Sequence, residues 1–177
     1  MGSAEDSGPV AFAVEPSDRE PGASLLAAFL AEIEGLYGPA FASWPTAEPH
    51  ELTPPRGAFL VGRLNGRSVA CGALKTITVP DRAEPIGELK RMYVVPGARG
   101  RGIARALVGA LEEQARERGL RWVRLDTGPK QPDALHLYRS CGFVDIPDYN
   151  GNSRAAHWLE KDLAAEPAGG TDVPSGP

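Results

Sequence analysis

Arg99-Gly100-Arg101-Gly102-Ile103-Ala104 lies between an apolar strand and a long amphipathic helix, and it constrains this chain more than any other segment. Upstream, Leu89 to Val95 reads as a strand, and Pro96-Gly97 ends it. Downstream, Ile103, Ala104, Leu107, Val108, Leu111 and Ala115 recur at helical spacing. The glycines therefore stand at the turn into a helix, where the first backbone N–H groups have no intrahelical partner. Those donors, the positive end of the helix dipole and the flanking Arg99 and Arg101 suit a phosphate or pyrophosphate. Two rival glycine motifs fail on specific residues. A dinucleotide fingerprint starting at Gly100 needs Gly or Ala at position 105, where the bulky Arg105 stands, and no Gly-Lys followed by Ser or Thr offers a Walker A loop.

The 177 residues suit one domain with a sizeable core, and a hydrophobic content of 42% is enough to fill it. No apolar run approaches the roughly 18 residues of a membrane span. The first nine residues lack the basic-then-apolar order of a signal peptide. Cys71 and Cys141 sit in apolar surroundings without metal-ligand spacing, so a reduced, cytoplasmic protein is expected, with no metal. A net charge of −4 argues against a general nucleic-acid binder, although basic residues crowd the middle of the chain. A solvated helix face and surface strand positions account for most of those, Arg91 and Arg124 among them.

Residues 1–10 and 164–177, rich in Gly, Pro, Ser and Asp, read as disordered tails around one domain over 11–163. Leu25, Leu26, Phe29, Leu30, Ile33 and Leu36 mark a first helix ending near Gly38. A Pro-punctuated segment from Pro39 to Pro55 follows, carrying Trp44 and His50. Ala58 to Leu64, Asn65-Gly66 and Ser68 to Leu74 form a hairpin signal, since Asn-Gly supplies the positive φ angles of a type I′ turn. After the motif strand and its helix, which stops at Gly119, come a strand over Trp122–Asp126, a short helix over Ala134–Ser140 and a strand over His157–Glu160. This order predicts an α/β fold with a mixed sheet flanked by helices.

With these residues in place, the chain resembles the GNAT superfamily of N-acetyltransferases from about residue 11 to residue 163. R-x-x-G-x-A (Arg99, Gly102, Ala104) is similar to that family's pyrophosphate loop. Glu88 to Val94 looks like its fourth strand, and Ala134-Leu135-His136-Leu137-Tyr138 with Cys141-Gly142-Phe143 looks like its A-x-x-L-Y-x-x-x-G-F block. The helix opening with Leu25 resembles its substrate-side helix. One position departs: many members carry Asn three residues before the Ala of the last block, and here Gln131 stands there, with the same amide on a longer stem.

The resemblance implies acetyl-CoA as co-substrate and a GNAT-like fold. Its pyrophosphate would lie over the N–H groups of Gly100, Arg101, Gly102, Ile103 and Ala104, with Arg99 alongside. Its pantetheine arm would run beside Met92, Tyr93 and Val94, and Gln131 would touch the cofactor. Acetyl transfer to an amine moves two protons. A free amine has a pKa near 10 and arrives mostly charged, so a carboxylate near the acetyl group must take its proton, directly or through water. Glu88 holds the place where some members keep that base; the alternative is a surface carboxylate paired with Lys90 or an arginine. Tyr138 matches the family's acid, which would protonate the departing thiolate; the alternative is a core tyrosine beside Phe143.

Cys141 has no evident base and reads as a structural thiol. Tyr149, Asn150, Asn152 and Ser153 edge the acceptor pocket or form a plain turn. The expected activity is acetyl transfer from acetyl-CoA to a primary amine by direct attack, with a small-molecule acceptor favoured over a protein or peptide amine. Two other classes stay open: a non-catalytic acyl-CoA sensor and a nucleotide-linked oxidoreductase, the latter opposed by Arg105. No nucleic-acid or membrane partner is expected, and an exposed sheet edge is compatible with a homodimer.

Overall fold

The computed structural model describes residues 8–39 and 47–164. Its elements, in chain order, are β1 (Val10–Val14), α1 (Gly22–Tyr37), β2 (Gly57–Leu64), β3 (Arg67–Ile77), β4 (Ile86–Val94), α2 (Ile103–Glu117), β5 (Trp122–Thr127), α3 (Pro132–Ser140), β6 (Val144–Ile146) and β7 (His157–Asp162). Short 3-10 turns cover Pro49–Leu52 and Pro96–Ala98. The strands form one seven-stranded sheet in the order β1-β2-β3-β4-β5-β7-β6. The expected mixed sheet with flanking helices is present. Two strands were not expected from the sequence, the edge strands β1 and β6. No helix among the described residues is long and apolar enough to cross a membrane.

The hairpin forms where Asn-Gly demands it: Asn65 and Gly66 have φ of +50° and +78°, and β2 pairs antiparallel with β3 on either side. Alternation along the strands divides the apolar residues between two faces. On one face, Leu74, Leu89, Val123, Leu125 and Leu159 pack against Leu107, Val108 and Leu111 of α2 and Tyr138 of α3. On the other, Phe59, Val61, Cys71, Ala73 and Tyr93 pack against Leu25 of α1.

That second cluster covers only the β2–β3–β4 half of the sheet. Over the remaining half the same face is polar. Glu88, Arg124 and Glu160 are register partners across β4, β5 and β7, so their side chains share that face. This corrects the reading of Arg124 as a solvated strand residue. It is 3% exposed, with Nε 2.6 Å from Glu160 and its terminal nitrogens on Asp81. A buried guanidinium needs such partners, because leaving its charge unpaired away from water is costly.

Candidate active site

β4 and β5 are the one parallel pair among the described strands, and they pair only at Gly87–Val123 and Glu88–Arg124. Beyond those rows the strands run on unpaired to Val94 and Thr127, which leaves a slot at their carboxyl ends. Open sheets bind ligands at the carboxyl ends of parallel strands. The divergence has a local cause. Cys71 pairs with Tyr93 and Ala73 with Lys90, so Gly72 of β3 faces both Arg91 and Met92 of β4. Such a bulge bends the strand that carries the extra residue. Arg91 takes a φ of +57° there, and its Nη2 donates to the Ala47 carbonyl at 2.7 Å. Gly72 makes room: a Cβ at that position would stand 2.9 Å from the Met92 sulfur.

The predicted anion loop closes the slot's end, following directly on β4. Gly100 and Gly102 have φ of +76° and +75°, and a Cβ at either would meet nothing within 4 Å. Backbone angle, rather than crowding, therefore requires glycine at both. Helix α2 opens with no side-chain cap, and its first turn closes with Ala106 N–H on the Gly102 carbonyl at 3.0 Å. Ile103, Ala104 and Arg105 thus hold the orphan donors of the helix start. Arg101 is exposed on this loop. Arg105 reaches α3 instead, donating to the Ser140 carbonyl at 3.1 Å and Oγ at 2.7 Å.

Arg99 is turned towards α1: its Nε donates to the Val94 carbonyl at 2.9 Å and its Nη2 to Glu32. Val95 N–H bonds to Val69 of β3, so strand alternation turns the Val94 N–H towards the slot, while its carbonyl is taken by Arg99. Met92 packs with the α2-side core, whereas Tyr93 is buried on the α1 side with its ring edge-on to Phe29 at 6.5 Å. Gln131 stands at the start of α3 and folds its amide inward, Oε1 accepting from Gly128 N–H at 3.3 Å.

The structure brings Glu88 and Tyr138 to the β4–β5 region from opposite faces. Glu88 is 5% exposed, with Oε2 3.2 Å from Lys90 Nζ and Oε1 accepting from Tyr149 Oη at 2.8 Å. It is therefore buried, unlike the surface carboxylate considered as its alternative, although Lys90 is indeed its ion partner. Tyr138 lies among the core residues of α2 and β5, its ring 6.0 Å from Phe143 in an edge arrangement. Burial pushes its phenol well above the ordinary range, and the negative charge of Asp126 adds to this. Tyr138 is both a core tyrosine and a phenol within the electrostatic reach of the strand that walls the slot.

The sequence reading missed Asp126 and Arg124 as site residues. Asp126, near the end of β5, accepts from Asn150 Nδ2 at 2.6 Å and Asn152 Nδ2 at 3.2 Å. A carboxylate closing a strand of the parallel pair was the available signal. Cys71 is fully buried with its thiol pushed up to about 12, and burial raises the Cys141 thiol as well, so neither offers a thiolate nucleophile. His136 is exposed, and no group of three or more His, Cys, Asp or Glu among the described residues is arranged to hold a metal. Trp44, expected beside the acceptor, lies outside the described residues.

Comparison with known proteins agrees with this geometry. Residues 27–143 match the family described as Acetyltransferase (GNAT) family. A protein of Azospirillum brasilense named IAA acetyltransferase is 43% identical over 114 residues, covering 63% of this chain and 72% of its own length. A solved structure from Klebsiella pneumoniae, described as an acyl-CoA N-acyltransferase, superposes with a TM-score of 0.67 at 28% identity, covering 87% of this chain and 97% of that one. An aminoglycoside 6′-N-acetyltransferase solved with coenzyme A shares the fold at a TM-score of 0.62 and 17% identity, over 89% and 99% of the two chains.

Proposed function

The chain belongs to the GNAT acetyltransferase family, and from that premise we propose that it transfers an acetyl group from acetyl-CoA to a primary amine by direct attack. One observation carries the reading: a slot between two parallel strands ends at a helix whose first amides have no partner. Those amides and the two positive-φ glycines fit a pyrophosphate, and the inward amide of Val94 fits an extended amide chain such as pantetheine.

In the transfer, the amine nitrogen forms a C–N bond to the thioester carbon, the C–S bond breaks, one ammonium proton goes to Glu88, and the second N–H proton ends on the departing sulfur. Glu88 takes the ammonium proton, through a water where its burial requires one. Tyr138 presents its O–H to the departing sulfur. Its raised phenol stays protonated at every working pH, while a thiol has a pKa near 8.5. Its contribution is thus a hydrogen bond that stabilises the developing thiolate until a proton reaches it. The Azospirillum relative named for IAA supports a small-molecule acceptor over a protein amine.

The test is a thermal-shift titration with acetyl-CoA, coenzyme A and NAD in parallel, followed by a thiol-release screen. A ligand at about 100 times its Kd adds roughly 2.7 kcal/mol and raises the melting temperature visibly. Stabilisation by acetyl-CoA and coenzyme A but not NAD is expected, as is faster thiol release with small primary amines than with lysine or N-terminal peptides. Equal stabilisation by all three, or by none, overturns the assignment.

A further inference from the structure

We propose that Tyr149, held by Arg124, is a positioning residue that fixes the orientation of the Glu88 carboxylate beside the slot. The inference rests on the assignment of Glu88 as the base. Tyr149 lies on the β6–β7 connection, sixty-one residues from Glu88, and donates its hydroxyl to Oε1 at 2.8 Å. Lys90 Nζ engages the other oxygen at 3.2 Å, so each carboxylate oxygen has a donor on a different element.

The tyrosine is itself fixed from below. The Arg124 guanidinium carbon lies 5.2 Å from its ring centre, and Arg124 is clamped between Glu160 and Asp81. The next residue repeats the pattern. Asn150 Nδ2 donates to Asp126 at 2.6 Å and lies 3.4 Å from the same Glu88 oxygen, while its Oδ1 accepts from Trp158 Nε1 at 3.0 Å. Asp148 closes the turn by accepting from the Asn150 and Gly151 amides at 3.0 and 2.8 Å. The loop is thus tied to β5 and β7 and brings its donors to a fixed place.

The physical need is specific. A carboxylate buried to this degree is costly unless its lone pairs are met, and its two oxygens would otherwise be free to rotate about the Lys90 pair. The Tyr149 phenol is pushed far above its ordinary range, first by burial and then by the Glu88 charge, so it donates and does not ionise. The charged groups around Glu88 are Lys75 on β3, Lys90 on its own strand, and Arg124 and Asp126 on β5. Lys75 is occupied by Glu51, and Asp126 by the two asparagines. Tyr149 is therefore the shorter of the two neutral donors on this oxygen, at 2.8 Å against 3.4 Å for Asn150.

The experiment compares Tyr149→Phe, site-specific 3-fluorotyrosine at position 149 (an isosteric, stronger donor) and Glu88→Gln. It reads kcat across pH with acetyl-CoA and the best small amine of the screen, and the KM for acetyl-CoA. Tyr149→Phe is expected to lower kcat about tenfold and to leave the KM for acetyl-CoA unchanged. Fluorotyrosine, which keeps the donor, is expected to retain the kcat of the unsubstituted protein, a rescue that ties the loss to the hydroxyl. A kcat for Tyr149→Phe equal to that of the unsubstituted protein, or a fluorotyrosine kcat as low as that of Tyr149→Phe, while Glu88→Gln abolishes the acid limb, overturns the positioning role and leaves the base assignment standing. An acid limb retained by Glu88→Gln overturns the base assignment, and this inference with it.

Discussion

Tyr138, the proposed acid, is also a core residue. Its ring fills the core between α2 and β5 against Phe143, and its phenol is held protonated by burial and by Asp126. Tyr138→Phe keeps the ring and deletes only the O–H, so the core should be retained and the thiolate left without its donor. We expect kcat to fall about 100-fold, within the usual range for a lost acid–base group, with the melting temperature and the KM for acetyl-CoA little changed. Thiol release and a melting curve on the same preparation check this; an unchanged kcat would show that Tyr138 is a core residue alone. Tyr138 and Glu88 could be singled out as candidates because each sits inside a local block that can be read along the chain. Of the groups around Glu88, Lys90 was named from the sequence, but the contacts of Tyr149 and Arg124 were not: they form through tertiary contact, and nothing adjacent to residue 124 marks its arginine as buried.

At the scale of elements, the proposed anion site is a property of a helix start and the loop before it. Gly102 stands at the N-cap of α2 in the left-handed region, with open space where a Cβ would go. Gly102→Ala therefore meets no clash and costs only the left-handed strain, about 1–2 kcal/mol. The added methyl stands at the edge of the amides that would face the pyrophosphate. A fold that survives with a lowered melting temperature, and a Kd for coenzyme A raised more than tenfold by calorimetry, are the expected results. Unchanged affinity would move the phosphates away from this loop. The hairpin, β4, α2 and α3 were readable because turn chemistry and periodicity state them locally. The edge strands were not. β6 has three residues, too few for a period, and β1 exists through its pairing with β2, from Val10 opposite Leu64 to Val14 opposite Leu60. The slot was equally hidden, since it depends on a bulge at Arg91 whose glycine, Gly72, lies on the neighbouring strand, far away in sequence.

The whole molecule is laced by ion pairs that join separate elements, and these set its response to acid. Glu15 binds Arg63, Glu51 binds Lys75, Asp81 binds Arg124, Asp145 binds Arg139 and Asp162 binds Arg121. In each case the hydrogen bond to the basic partner is the leading cause that holds the carboxyl below its ordinary value. A folded-state pKa lower than the unfolded one means that the unfolded chain binds more protons between the two values. Stability from these pairs is thus fully present above the unfolded values, near pH 4, and is lost as pH falls through the folded ones. Each exposed pair is individually weak and screened by salt. Their number and their placement between strands, loops and helices make the sum cooperative. The melting temperature should be nearly level from about pH 7 to about pH 5 and drop steeply below about pH 4. In high salt the neutral-pH value should fall slightly and the acid drop become shallower, because the pairs being lost contribute less. A melting temperature that rises on acidification would mean that repulsion among the excess carboxylates of a chain with net charge −4 outweighs these pairs. Melting curves across that pH range at low and high salt distinguish the two.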